Sequence, residues 1–375
     1  MFRTKRSGLV RRLWRSRAPA EGDGEADRGT HGSGGCCMGK TTKVVKSTSG
    51  SDAELKALTH SILKKIKEKQ LEVLLQAVES KGGARSPCLL LPSKMDAKVG
   101  QQCYSLPLLL YKVFRWPDLR HSSELKRLPC CESYGKTNPE LVCCNPHHMS
   151  RLCELGEHAN LILYPKLTFE KTYSPDSGPS SSDTGETTYS APVGLSDSLA
   201  VQESGERPHW CVVAYWEEKT RVGRLYSVQE SSLDIFYDLP QGNGFCLGQL
   251  CSDNKSPLVQ MVRAKIGFGI QLTREADGVW VYNRSGYPIF IKSATLDNPD
   301  SRALLVHKVF PGFAIKAFDL DKAASLRRPN DHEFTLQPRT GFTVQISFVK
   351  GWGQCYTRQF IGSCPCWLEV IFNTR

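Results

Sequence analysis

Between positions 88 and 153 the chain concentrates side chains that bind metals: Cys88, Cys130, Cys131, Cys143, Cys144, Cys153, His147 and His148. Thiolates and neutral imidazoles are the donors zinc prefers, and a closed site of four such donors adds folding free energy to a small domain with little core. Cys88, Cys131, Cys143 and His148 supply three sulfurs and a nitrogen. Spacing alone does not select them, because Cys130, Cys144, Cys153 and His147 compete, and buried free cysteines also behave as small apolar residues.

A second chemistry lies near the C-terminus. Phe342 to Phe348 alternates like a strand, Val349-Lys350-Gly351-Trp352-Gly353 interrupts it, and Cys366 to Arg375 closes the chain. A loop presenting Lys350, Trp352, Tyr356 and Arg358 between two strands reads as a surface for a partner, while Trp352 alone would also suit a core plug. Arg263 and Lys265 precede a Gly267-Phe268-Gly269 turn. Arginine forks and lysine ammoniums suit phosphate oxygens, although isolated surface cations usually bind nothing specific. No local Cys/His nucleophile pair, phosphate-cradling loop or open metal site emerges, so an enzyme is not expected.

These residues need scaffolds. At 375 residues the chain exceeds one ordinary core, so two domains are expected. The net charge of +11 favours anionic partners, with Arg3, Lys5, Arg6, Arg11, Arg12, Arg15 and Arg17 crowding the N-terminus. Residues 1–50, basic and rich in Gly and Ser, are expected to lack fixed structure. Ser51-Asp52-Ala53-Glu54 has the form of a capping box, and Leu55, Leu58, Ile62, Ile66, Leu71, Leu74, Leu75 and Val78 then repeat at helical spacing, with a break at Lys67 to Gln70. A mixed cysteine-rich region completes a domain over 51–157, and a Ser, Thr, Gly, Pro and acid-rich linker covers 158–208. From 209 to 375 strand patterns dominate: His209 to Trp216, Arg224 to Val228, Asp234 to Asp238, Gly278 to Asn283, Ile289 to Ser293 and Leu304 to Val309. Turns such as Asp277-Gly278 fit an antiparallel sandwich, and Leu258 to Lys265 and Leu320 to Leu326 read as helices. The fifteen cysteines, an odd number, argue for thiols and metal ligands over a disulfide framework. No apolar run approaches the roughly 20 residues of a membrane span, and Val10 and Leu13 sit among arginines, so no membrane insertion is expected.

Ser347-Phe-Val-Lys-Gly-Trp-Gly353, Tyr356, Arg358-Gln359 and Pro365-Cys366-Trp367 resemble the C-terminal Mad-homology domain of the Smad proteins, transducers of transforming growth factor beta and bone morphogenetic protein signals. Trp210-Cys211, Ala214-Tyr215-Trp216, Arg221-Val222-Gly223, Phe245-Cys246-Leu247-Gly248 and Lys265 to Gly269 follow the same pattern in order. Phe114-Arg-Trp-Pro-Asp-Leu119, with Cys131-Glu132 and Val142 to His148, resembles the family's N-terminal Mad-homology domain. The resemblance implies an α+β multidomain chain: a small zinc-stabilised α/β N-terminal domain and a C-terminal β-sandwich with flanking helices and loops. It also implies structural Zn2+ on Cys88, Cys131, Cys143 and His148.

Met1 to Arg17, Tyr237 to Gly242 and Asp277-Gly-Val-Trp280 resemble the inhibitory Smads. Activated Smads end in a phosphorylated Ser-x-Ser, whereas this chain ends Phe372-Asn-Thr-Arg375. The resemblance therefore implies an antagonist. It would use Arg263, Lys265, Lys350, Trp352 and Arg358 to occupy an activated type I receptor and block phosphorylation of signalling Smads. Other Smads are implied partners, and nucleus and cytoplasm the implied locations. A transcriptional role through DNA or transcription regulators is the alternative. DNA reading would be weakly specific, because Asp96 to Cys103 carries one lysine and an aspartate where the family's DNA hairpin carries Arg, Gln and Lys. Lys64, Lys65, Lys67 and Lys69 suit phosphates or simply solvent. No two prolines are adjacent, so the Pro-Pro-x-Tyr motif that recruits WW-domain ubiquitin ligases is missing.

Overall fold

A computed structural model describes residues 5–19, 49–83, 86–93, 96–99, 102–134, 140–153, 209–237, 244–253, 256–296, 305–326 and 343–373. The linker expected at 158–208 lies outside them. The described residues up to Cys153 and from His209 onward form one compact unit.

The helical repeat beyond position 50 folds as two helices, Ser49–Lys65 and Glu68–Glu79, broken at Ile66 and Lys67 as the polar interruption predicts. The first begins two residues before Ser51, so the capping-box serine does not mark its start. Within the stretch 1–50 expected to lack fixed structure, 1–4 and 20–48 lie outside the described residues, while Lys5–Arg15 is instead a helix that buries Val10 and Leu13. Both join Ile62, Leu63, Ile66, Leu71, Leu74 and Leu75 in one core. Lys5 reaches Glu68 and Glu72 at 3.1 and 2.7 Å, and Arg12 reaches Glu79 at 2.6 Å. Composition marked this stretch as a solvated basic tail. The apolar stripe between the arginines, once offered a complementary acidic helix, decides otherwise.

Helix Leu106–Phe114 packs on the same core, as do the paired strands Leu90–Pro92 and Leu141–Cys143. A hairpin joins Asp96–Val99 to Gln102–Ser105.

The C-terminal part is a sandwich. One sheet orders His307–Val309, Ile289–Ser293, Thr343–Phe348, Trp367–Phe372, Cys211–Glu217 and Thr220–Val228. The other contains Phe245–Cys246, Ser232–Phe236, Ile270–Glu275, Gly278–Asn283 and Phe313–Asp319. Inward residues from both sheets, among them Tyr215, Ile270, Leu272, Ile291, Ile346 and Leu368, close with helix Pro257–Ile266 into one core. The strands expected at 278–283 and 289–293 have those limits, while the one expected at 304–309 shrinks to His307–Val309. Sequence patterning missed Ile270–Glu275 and Phe313–Asp319. The first is buried at four consecutive positions and the second on both faces in part, so neither shows clean alternation.

The second sheet continues into the N-terminal part. Met149–Leu152 pairs parallel with Phe313–Asp319, and Leu125–Arg127 pairs with Met149–Leu152. Arg151 and Cys153 donate backbone hydrogen bonds to the carbonyls of Gly312 and Ala314 at 3.0 and 2.9 Å.

Candidate metal centre and cationic surface

Cys88 lies just before strand Leu90–Pro92, and Cys143 ends the strand paired with it. Cys131 follows a turn in which its amide donates to the carbonyl of Leu128, and His148 closes the short helix Pro146–His148. These four residues bring their ligand atoms within 4.8 Å of one another, and among the described residues this is the one such group. The Cys88 sulfur lies 3.6 Å from that of Cys131, and His148 Nδ1 lies 3.4 and 3.5 Å from the sulfurs of Cys88 and Cys143. The edges of a zinc tetrahedron with three sulfurs and one nitrogen are about 3.5 to 3.8 Å, so the donors fit such an ion.

The surroundings fix the donors. His148 Nε2 lies 3.0 Å from the Ser86 carbonyl, which takes its proton and leaves Nδ1 for the metal. The fully buried Asn145 caps the short helix by accepting from the His147 amide, and its amide donates to Ser86 Oγ and the Pro87 carbonyl. The Glu132 amide donates to the Cys88 sulfur and Arg127 to that of Cys131. Donation from Cys143, assisted by His148 and Arg127, holds the Cys131 thiol well below its ordinary value. This is the thiolate a metal requires.

The competing residues are placed elsewhere. Cys144 is buried in the helical core, with its thiol pushed up to about 12 by burial, and Cys130 and Cys153 are likewise outside the group. His147 packs against Gly82.

In the C-terminal part, Lys265 lies in the last turn of Pro257–Ile266, before Gly267 in the left-handed region at φ 52°. Its ammonium sits 5.1 Å from the Tyr287 ring centre. Lys350 has its carbonyl held by Ser347 Oγ at 2.7 Å, and Arg358 Nε donates to the Ser363 carbonyl at 3.2 Å. Burial depresses the Lys350 pKa, and the like charges of Arg358 and Lys265 depress it further. Both cations thus lie near enough to Lys350 for their charge to act on it.

Two residues expected on this surface are committed inside. Trp352 is 3% exposed and packs with Phe290, Cys364 and Trp367, because Gly351 and Gly353 let the loop fold its ring inward. A Cβ on Gly351 would stand 2.7 Å from the Tyr356 ring, and Gly353 has φ 91°. Arg263 pairs with Glu217, which is fully buried and also accepts from Tyr215 and Ser252. No local sequence signal showed that Glu217 would fill the guanidinium, since the partners lie 46 positions apart. The hairpin at 96–105 forms in the backbone, and Lys64, Lys65, Lys67 and Lys69 are exposed.

Among the described residues no helix is long and apolar enough to cross a membrane. The MH1 domain model matches residues 55–153 and the MH2 domain model residues 208–373. The chain is 66% identical to Mothers against decapentaplegic homolog 7 of Mus musculus, with all of both chains covered. It is 43% identical to Mothers against decapentaplegic homolog 6 of Gallus gallus over the same full coverage. It is 28% identical to dwarfin sma-3 of Caenorhabditis elegans over 84% of this chain and 85% of that one. The likeness to the inhibitory Smads read from the sequence is thus borne out, and with two Mad-homology domains the chain belongs to the Smad family.

Proposed function

We propose that this Smad is an antagonist of transforming growth factor beta and bone morphogenetic protein signalling. Its C-terminal domain occupies activated type I receptors, and signalling Smads are left unphosphorylated. The reading is carried by the position of Lys350, whose part-buried ammonium feels the positive charges of Arg358 and Lys265, an arrangement that an anion would favour. A phosphorylated receptor segment supplies that anion, as would the phosphorylated tail of another Smad. Trp352 acts from beneath, by fixing the loop that carries Lys350 and Arg358, and Arg263 acts by anchoring the helix that carries Lys265. The role is one of binding, without catalysis.

In the N-terminal domain Cys88, Cys131, Cys143 and His148 would hold zinc in a structural role, since three sulfurs and one nitrogen would complete a tetrahedral ligand set and leave no position for substrate. DNA and transcription regulators are weaker partners of this domain, and the protein works in both nucleus and cytoplasm.

The test is co-precipitation of the full chain with a type I receptor kinase domain, phosphorylated and unphosphorylated, over a range of salt. Phosphate-dependent, salt-sensitive capture that disappears in the double variant Lys350→Glu, Arg358→Glu is expected. Capture indifferent to phosphate, or unchanged in a folded double variant, would remove the assignment.

A further inference from the structure

The joint between the two domains and the metal centre share the same pieces of chain. On the C-terminal side the joint is the face formed by Trp280, Tyr282 and Ala314, with Glu275 at its edge. Leu128 packs on Tyr282 and Ala314 in one apolar cluster that Trp280 borders. Lys126 reaches Glu275 at 2.8 Å and lies 4.3 Å from the Trp280 ring centre. Tyr134 donates to the second oxygen of Glu275 at 2.7 Å, and Arg115 donates to the Tyr282 hydroxyl at 2.7 Å. Arg151 and Cys153 complete the seam through the carbonyls of Gly312 and Ala314.

Every segment making these contacts is tied to a metal ligand. Cys131 stands three residues after Leu128 and three before Tyr134, whose amide donates to its carbonyl. His148 directly precedes the strand Met149–Leu152, and its carbonyl accepts from the Leu128 amide at 2.9 Å. Arg115 also grips the carbonyls of Pro146 and Met149 on either side of His148. The other two ligands lie on the opposite side: Cys88 leads into Leu89 and Leu91, and Cys143 into Cys144, all in the helical core. An ion held by the four therefore bolts the helical core to the two segments that touch the C-terminal domain.

We propose that metal binding and interdomain docking are coupled in this chain: the ion on Cys88, Cys131, Cys143 and His148 fixes segments 126–134 and 148–153 in the shape that covers Trp280 and Tyr282, and its loss uncovers them. The inference rests on the metal reading of the cluster. Linkage makes the coupling reciprocal, so weakening the seam from the C-terminal side lowers metal affinity by the same factor that metal loss weakens the seam.

The experiment uses the full chain, loaded with zinc or stripped by a chelator, with metal content measured in each. Hydroxyl-radical footprinting read by mass spectrometry should show several-fold greater oxidation of Trp280 and Tyr282 in the stripped protein, with Trp352 unchanged. Glu275→Ala, whose side chain is not a ligand, should lower zinc affinity several-fold in a chelator competition while one zinc per chain still binds. Equal footprints with and without zinc, or an equal rise at Trp352, would overturn the coupling, as would unaltered zinc affinity in Glu275→Ala. A chain that takes up no zinc at all would fail at the metal reading itself, and the inference would fall with it.

Discussion

The guanidinium of Arg263 lies 3.2 Å from the carboxylate of Glu217, a side chain with no exposure to solvent. A buried carboxylate is tolerated only when its lone pairs are filled, and Tyr215 and Ser252 complete that task. The pair joins strand Cys211–Glu217 to helix Pro257–Ile266, and so sets where Lys265 stands. Removing the guanidinium with Arg263→Ala should cost about 3 to 5 kcal/mol, because the remaining charge is left buried and unpaired. Urea unfolding of wild type and variant checks this, and a change below about 1 kcal/mol would show that the pair is solvated after all.

Trp352 and Lys350 stand two positions apart and should separate cleanly in experiment. Trp352→Ala empties a buried indole site and should destabilise by about 3 to 5 kcal/mol, seen in a lowered denaturation midpoint. Lys350→Ala removes a part-buried cation and should change stability far less than Trp352→Ala, while reducing phosphate-dependent capture. A stable Trp352→Ala protein defective only in binding would mean that the ring contacts the partner directly.

The pKa of Lys350 carries a sign that can be measured. Burial and the charges of Arg358 and Lys265 lower it in the free protein, and a bound phosphate raises it again. Anion binding should therefore be strongest where Lys350 is already protonated, and should weaken as pH rises through its lowered value. In alkaline buffer binding should take up protons, visible in calorimetry as a heat that depends on the ionisation enthalpy of the buffer. Binding that releases protons there would contradict the arrangement.

Acid should empty the metal centre for the opposite reason. Protons compete for Cys88, Cys131, Cys143 and His148, so metal affinity falls with falling pH and the helical domain loosens with it. Zinc release followed by a colorimetric chelator should coincide with lost helical circular dichroism. Release with no change in the helices would make the site dispensable for folding.

The N-terminal helix offers a test of packing against charge. Leu13→Ala, at a fully buried position, should cost about 2 to 5 kcal/mol. Arg12→Ala removes a solvent-screened surface pair and should cost far less. Reversed magnitudes would mean that charge rather than apolar burial holds the helix.

The sequence by itself determined the local matters. Helical spacing located Glu68–Glu79, alternation located Gly278–Asn283 and Ile289–Ser293, and the motifs around Cys131, His148 and Trp352 pointed to the two domains. Those features are legible because they depend on neighbours three, four or two positions away. Tertiary structure decided the long-range matters: that Lys5–Arg15 docks on an acidic helix more than 50 positions later, and that Glu217 claims Arg263. It also turned Trp352 inward and carried Met149–Leu152 into a sheet of the C-terminal domain. In each case the local chemistry permitted both states. The choice fell to burial, which removes apolar surface from water and forces each buried charge to find a partner, and burial is a property of the whole fold.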